Sequence, residues 1–362
     1  MKPSESEKVY IIAEAGVNHN GQRDLAFALV DAAALAGADA VKFQTFDAQK
    51  LASKSAPKAQ YQKLTTDAAE SQLSMLKKLE LPREWHVDLQ RYARGKGVEF
   101  LSTAFDTDSL AFLVELGMPV FKVPSGELTN GPLLWQFART RKPLILSTGM
   151  ATLSEVEQGL AIVAHALNSD TEPADMDAVW RGWSNTEFRH SLRGHVTLLH
   201  CTTQYPSPLD EVNLRGMDTL SSAFGLAVGY SDHTEGILIP VAAAARGATV
   251  LEKHFTLDRS LPGPDHKASL EPGELTQMVG YVRALQVALG DGSKAPQASE
   301  WDTRQVARQQ VVAARDIAAG AILTRMDLTT ARSGRGLPPT GLWGLVGRKS
   351  DRSFAAGDII EP

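Results

Sequence analysis

The sequence predicts an α/β fold: a (β/α)8 barrel of the TIM type followed by a small β-rich domain. Three observations carry this reading. Short apolar runs alternate with helical stretches, the pattern of parallel strands joined by crossover helices. There are eight such runs, the number that closes a barrel. Each run also stops abruptly on polar residues, and in such barrels the chemistry sits where strands end and loops begin.

In chain order the strand candidates are 9–17, 40–46, 99–105, 120–125, 143–149, 195–202, 226–233 and 250–256. Their polar stops read Glu14; Lys42 with Gln44; Ser102 with Thr103; Lys122 with Ser125 and Glu127; Ser147 with Thr148; His200 with Thr202; Ser231 with His233; and Glu252 with His254. Helical patterns fall at 25–37, 82–96, 154–166, 237–245 and 272–289. Gly37 marks a C-terminal stop and Pro82 an N-terminal start. The loop after the second strand runs to about Lys78, carries Tyr61 and Gln62, and has the length of a binding lid. Residues 168–194 are polar, carry Trp180 and Trp183, and precede the sixth strand. They are expected as an insertion on the opposite, stability face of the barrel.

The barrel domain is expected over 1–289, a linker over 290–306 and the small domain over 307–362. Periodicity is lost from Gly290 to Thr303, where Gly, Ser, Pro and Asp dominate. Beyond it, DIAAGAIL at 316–323 and SFAAGDII at 353–360 echo each other, as short strands joined by glycine turns would.

Composition narrows the function. Of 362 residues 43% are hydrophobic and 22% charged, an ordinary globular balance. A formal net charge of -5 offers polyanions no general attraction, so nucleic acid is not an expected partner. Cys201 is the single cysteine, which excludes an internal disulfide and a multi-cysteine zinc site. The N-terminal apolar run is too short for a signal peptide and no stretch spans a bilayer, so a cytoplasmic enzyme without membrane contact is expected.

The polar stops sketch the chemistry. Lys42 and Gln44 lie two apart on one strand and face the same way. With Lys122, Ser125, Ser147 and Thr103 they supply two cations and several neutral donors, a set suited to phosphate or carboxylate. A single lysine could instead snorkel from the rim. His233 and His254 end neighbouring strands, where neutral imidazoles can share a labile divalent ion or simply bond to each other. Asp232 and Glu252 precede them as candidate orienters. Glu14 is costly to bury unless it pairs with a lysine or serves as acid and base. Tyr205 and Asp265 sit on loops after strands six and eight as candidate substrate contacts, and Cys201 reads as packing.

The stretches IIAEAGVNHNG, VKFQTF, FLSTAFD, KVPSGELTN, ILSTGMATLSE, LLHCTTQYPSP, VGYSDHTEG and LEKHFTLDRSLPGPDHKAS closely resemble the sialic acid synthase family. The C-terminal segment resembles the antifreeze-like (SAF) domain fused to those enzymes. The resemblance implies condensation of phosphoenolpyruvate with an N-acetylated mannosamine-type sugar, giving a nine-carbon α-keto acid and phosphate. By motif, Lys42, Thr103, Lys122, Ser125, Ser147, Thr203 and Ser231 would hold phosphoenolpyruvate. Gln44, Tyr205 and Asp265 would contact the sugar, His233 and His254 would ligate Mn²⁺ or Mg²⁺, and Glu14 would lead as acid/base with Glu127 as a second carboxylate. It also implies a homodimer whose swapped C-terminal domain brings Arg332 to the sugar's N-acyl group.

Two positions depart from the family pattern: Thr203 stands where asparagine is frequent, and Ser333 stands where a proline follows the arginine. Neither removes a charge or a metal ligand, so the resemblance leaves the acceptor sugar open. N,N'-diacetyllegionaminate and N-acetylneuraminate are the leading products. The alternatives are a pseudaminate-type synthase, a metal-independent Schiff-base aldolase using Lys42 or Lys122, and a barrel that is only a scaffold for a binding module.

Overall fold

The structure, a computed structural model, describes residues 8–361 apart from 54, 68 and 69. It divides into one compact unit ending at Gly290 and a second beginning at Asp291.

The first unit is the barrel. Its strands are β1 (Tyr10–Gly16), β2 (Ala40–Thr45), β3 (Glu99–Ala104), β4 (Phe121–Val123), β5 (Leu144–Ser147), β6 (Val196–His200), β7 (Ala227–Asp232) and β8 (Val250–His254). They run parallel in the order β3-β2-β1-β8-β7-β6-β5-β4, and β3 lies against β4 to complete the ring. Each strand is a residue or more shorter than its apolar run suggests, because the last positions belong to the loops. The outer helices begin where capping chemistry allows. Thr152 and Glu155 cap Leu153–Asn168 reciprocally, and Asp106 accepts from the Ser109 amide at 2.9 Å to start Thr107–Glu115. Gly37, at φ 78, ends Arg23–Ala36 as a left-handed cap.

The long loop and the insertion both carry helices. The long loop after β2 contains Ala48–Leu51, Gln60–Thr65 and Gln72–Lys78, and Lys58 braces it, its ammonium donating to Thr66 Oγ1 and the Asp67 carbonyl. Residues 168–194 carry Met176–Ser184 and Thr186–His190. These pack on Leu153–Asn168 through buried Val179 and a 2.9 Å bond from Trp183 Nε1 to Glu157. A few apolar residues at helical spacing are enough to anchor this polar insertion.

In the second unit, β9 (Gln309–Ala313) and β10 (Leu328–Arg332) pair antiparallel. The two echoed segments meet: Ile317 and Phe354 exchange backbone hydrogen bonds at 2.8 and 2.9 Å. Its core is small, built from Val311, Leu323, Leu328, Leu342, Phe354 and their neighbours. The expected linker is not wholly extended, since Trp301–Ala307 is an α-helix.

Candidate active site

Strand alternation selects which polar residues meet. Side chains along a strand point to opposite faces in turn, so Ser231 and His233 share one face with Glu252 and His254, while Asp232 and Lys253 take the other. The ladders bring the inner set into register: Lys42 and His254 flank Glu14, Gln44 pairs with Thr103, and Ser231 with Glu252. The result is a cavity of about 220 Å³ at the C-terminal ends of the strands. Glu14, Lys42, Gln44, Thr103, Lys122, Ser125, Ser147, Thr203, Tyr205, Ser231, His233 and His254 all line it.

Its floor is a buried charge network. Lys42 Nζ lies 2.6 Å from Glu14 Oε2, 3.0 Å from Thr103 Oγ1 and 3.5 Å from Glu252 Oε2. Lys122 Nζ reaches Glu252 Oε1 at 3.2 Å, and Ser231 Oγ donates to the same oxygen at 2.8 Å. Lys42, Glu14 and Glu252 are each only 2% exposed. Burial pushes the Glu14 carboxyl up to about 7, outweighing the pull of Lys42, and Glu252 adds to the rise. Burial works against ionisation of Glu252 as well, but there Lys122 and Lys42 prevail, with Ser231, and hold it below the ordinary carboxylate range. Two buried carboxylates in one cavity are thus driven apart in acidity, the arrangement that separates a proton acceptor from a fixed charge.

The two imidazoles stand 5.4 Å apart between ring centres. His233 Nδ1 is 2.5 Å from the Thr202 carbonyl, which can only accept, so Nδ1 carries the proton and Nε2 presents a lone pair. That Nε2 lies 2.9 Å from the Tyr205 hydroxyl. Burial lowers His233 to about 4, and burial with the neighbouring His233 lowers His254 well below its usual value. Both rings are therefore neutral near pH 7, as ligation requires. His254 Nδ1 is buried without a hydrogen-bond partner among the described residues. Two neutral imidazoles with one such nitrogen fit a labile divalent ion whose remaining ligands come from substrate or water. Among the described residues no group of three His, Cys, Asp or Glu makes a closed site.

Some candidates stand elsewhere. Glu127 is half-buried in the 3₁₀ turn after β4, accepts from Asn130 Nδ2 at 2.7 Å, and is not part of the cavity wall. Asp265 is buried in the loop after β8, outside the wall, and burial raises its carboxyl to about 6. Arg332 ends β10 in the second unit. Asp232 does not orient His233: it forms a fully buried pair with Lys253 at 2.5 Å on the helix-facing side. Glu252 orients lysines and a serine, not a histidine, and alternation from Ser231 and His254 would have placed it inside. Phe105, Pro124, Met150 and Cys201, with Gly126, complete the wall. Their apolar character hid them among packing residues. Cys201 contacts Ser125 Oγ at 3.3 Å, and burial raises its thiol, so it remains protonated.

Buried lysines bracketing a carboxylate, beside an acid–base candidate and two neutral imidazoles, define a barrel enzyme equipped for an anionic substrate. The chain belongs to the NeuB family, whose model matches residues 29–294; a SAF domain model matches residues 308–362. It is 45% identical to an N,N'-diacetyllegionaminic acid synthase of Campylobacter jejuni, over 98% of this chain and 99% of that protein. It is 43% identical to the N,N'-diacetyllegionaminic acid synthase of Legionella pneumophila, over 99% and 96%. Among solved structures, the N-acetylneuraminic acid synthetase of Leptospira borgpetersenii, in complex with citrate, matches with a TM-score of 0.67 at 32% identity, covering 82% of this chain and 90% of that one.

Proposed function

We propose that the enzyme condenses phosphoenolpyruvate with 2,4-diacetamido-2,4,6-trideoxymannose to give N,N'-diacetyllegionaminate and phosphate. The observation that carries the reaction class is the Lys42–Glu252–Lys122 bracket beside Glu14 in one cavity. The choice of sugar rests on similarity to two synthases of that product along nearly the whole chain.

In this reading Lys42 and Lys122 hold the phosphate and carboxylate of phosphoenolpyruvate close together, with hydroxyls from Thr103, Ser125, Ser147, Thr203 and Ser231 completing the anion contacts. Ser147 Oγ supports this, being buried with no hydrogen-bond partner among the described residues. Gln44, Tyr205 and Asp265 position the open-chain sugar. His233 and His254 would hold Mn²⁺ or Mg²⁺, which when bound supplies a Lewis acid for the aldehyde oxygen. C3 of phosphoenolpyruvate forms the new bond to the sugar's C1 as positive charge develops at C2. Water adds at C2; Glu14 takes its proton and returns it to the alkoxide formed from the aldehyde oxygen, while the proton of the added hydroxyl leaves with phosphate. The tetrahedral carbon then collapses to the ketone, breaking the C–O bond to phosphate. We further propose a cytoplasmic homodimer in which the C-terminal unit of one copy presents Arg332 to the cavity of the other.

Turnover in ¹⁸O-labelled water checks the chemistry: label is expected in the keto acid and not in phosphate, and the reverse distribution would refute C–O cleavage. Comparing kcat/KM on the trideoxy sugar and on N-acetylmannosamine checks the acceptor. His254→Ala is expected to weaken Mn²⁺ binding by about 10-fold or more in calorimetry, since even outer-shell changes cost that much. Unchanged ion affinity would remove the two histidines from that role.

The Schiff-base alternative needs an unprotonated lysine. Burial pushes Lys42 down, but Glu14 and Glu252 outweigh it and raise it above the usual lysine value, so it stays an ammonium ion.

A further inference from the structure

The turn after β1 has no part in the chemistry above, yet the loops after β2 and β8 converge on it. Asn18 is buried, and its Nδ2 donates to the Phe255 carbonyl at 2.8 Å and to Ser269 Oγ at 3.0 Å. Ser269 Oγ in turn donates to the Asp265 carbonyl at 2.7 Å. Phe255 directly follows His254, and its amide donates to the Glu14 carbonyl at 3.0 Å. Asn20 Oδ1 meets Nε2 of the fully buried His266 at 3.1 Å, and His266 Nδ1 meets Thr256 Oγ1 at 2.7 Å.

The surrounding backbone is pressed onto the same point. A Cβ on Gly263 would fall 2.7 Å from the His266 ring and 3.0 Å from Asn20 Oδ1, and one on Gly21 would fall 2.7 Å from the Lys78 carbonyl. Thr65, in the lid after β2, donates to the Pro264 carbonyl at 3.4 Å. The turn therefore ties the end of the lid and both ends of the loop carrying Asp265 to the strand carrying Glu14.

We propose that the Asn18-His19-Asn20-Gly21 turn is a positioning clasp that sets the loops after β2 and β8 for the amino sugar, and leaves phosphoenolpyruvate binding untouched. This rests on the placement of the sugar beside Gln44 and Asp265 given above. The selectivity follows from topology. The residues assigned to phosphoenolpyruvate come from β3 to β7 and the loops after them, with one exception. That exception, Lys42, is fixed inside the barrel by Glu14, Glu252 and Thr103 and not by a loop.

Steady-state kinetics on the full chain test this, with each substrate varied at saturating levels of the other. Asn20→Gly deletes the amide while keeping a residue suited to the left-handed φ of 51 at a half-buried site, so folding is retained. His266→Ala removes the other half, and His266→Gln returns a donor. The KM for the sugar is expected to rise about three- to tenfold in Asn20→Gly and His266→Ala, the size of one lost hydrogen bond. The KM for phosphoenolpyruvate is expected to stay put, with partial recovery in His266→Gln. Both KM values rising together, or neither moving, overturns the clasp. Asp265→Asn is measured alongside. If it raises the sugar KM and the clasp variants do not, the clasp is wrong and the sugar placement stands. If it leaves that KM unchanged, the sugar placement itself fails.

Discussion

Glu14→Gln is expected to lower kcat by about 10² to 10⁴-fold, the span of a lost general base, with both KM values near those of the parent enzyme. Burial, over the opposing pull of Lys42, pushes this carboxyl up to about 7, near the pH at which a proton acceptor is most effective. The sign follows directly. A base works in its ionised form, so kcat should rise with pH through about 7 and level off above it. In the Gln variant that ascending limb should vanish. Gln keeps the shape and a hydrogen-bonding oxygen for Lys42, so binding is spared. A limb near pH 7 that persists in Glu14→Gln would transfer the role to another group.

Much of this site was legible beforehand because barrel strands end where chemistry begins. Every apolar run became a strand, and thirteen of the polar residues singled out at or near their ends line one cavity. What was not legible is the face each polar residue takes when several stand in a row. In Glu252-Lys253-His254 the alternation puts the carboxylate and imidazole inside, and sends Lys253 outward to the buried Asp232. Ser102 and His200 behave likewise. Ser102 bonds Thr45 at 2.6 Å and His200 bonds the Val212 carbonyl at 2.9 Å, both on the helix-facing side of the sheet. A one-residue change of register would exchange these sets, so composition alone does not separate a ligand from a structural polar pair. The clasp was hidden for a different reason. Its bonds join residues some 240 positions apart, and no local pattern reports them.

Lys42→Met is expected to abolish turnover and to destabilise the barrel increasingly above neutral pH, by about 1.4 kcal/mol per pH unit above about pH 7, as the stranded carboxyl is forced to ionise or hold its proton. Methionine fills a similar volume, so the loss is electrostatic and not a cavity effect. Glu252 keeps Lys122 and Ser231 after the change, which leaves Glu14 as the uncompensated charge. Its carboxyl, already raised to about 7 against the pull of Lys42, should rise further once that pull is gone. A carboxyl whose folded pKa lies above its unfolded value costs nothing below the unfolded pKa and withdraws stability as pH climbs toward the folded one. The extra penalty over the parent should therefore be near zero at about pH 5, where Glu14 is protonated in both folds, and should grow above about pH 7 to roughly 1.4 kcal/mol near about pH 8. Urea unfolding of parent and variant at the two pH values measures it directly. Adding Glu14→Gln to Lys42→Met should return most of the stability at the higher pH without returning activity. An equal loss at both pH values, or no recovery in the double variant, would show that Glu14 does not depend on Lys42 for its charge.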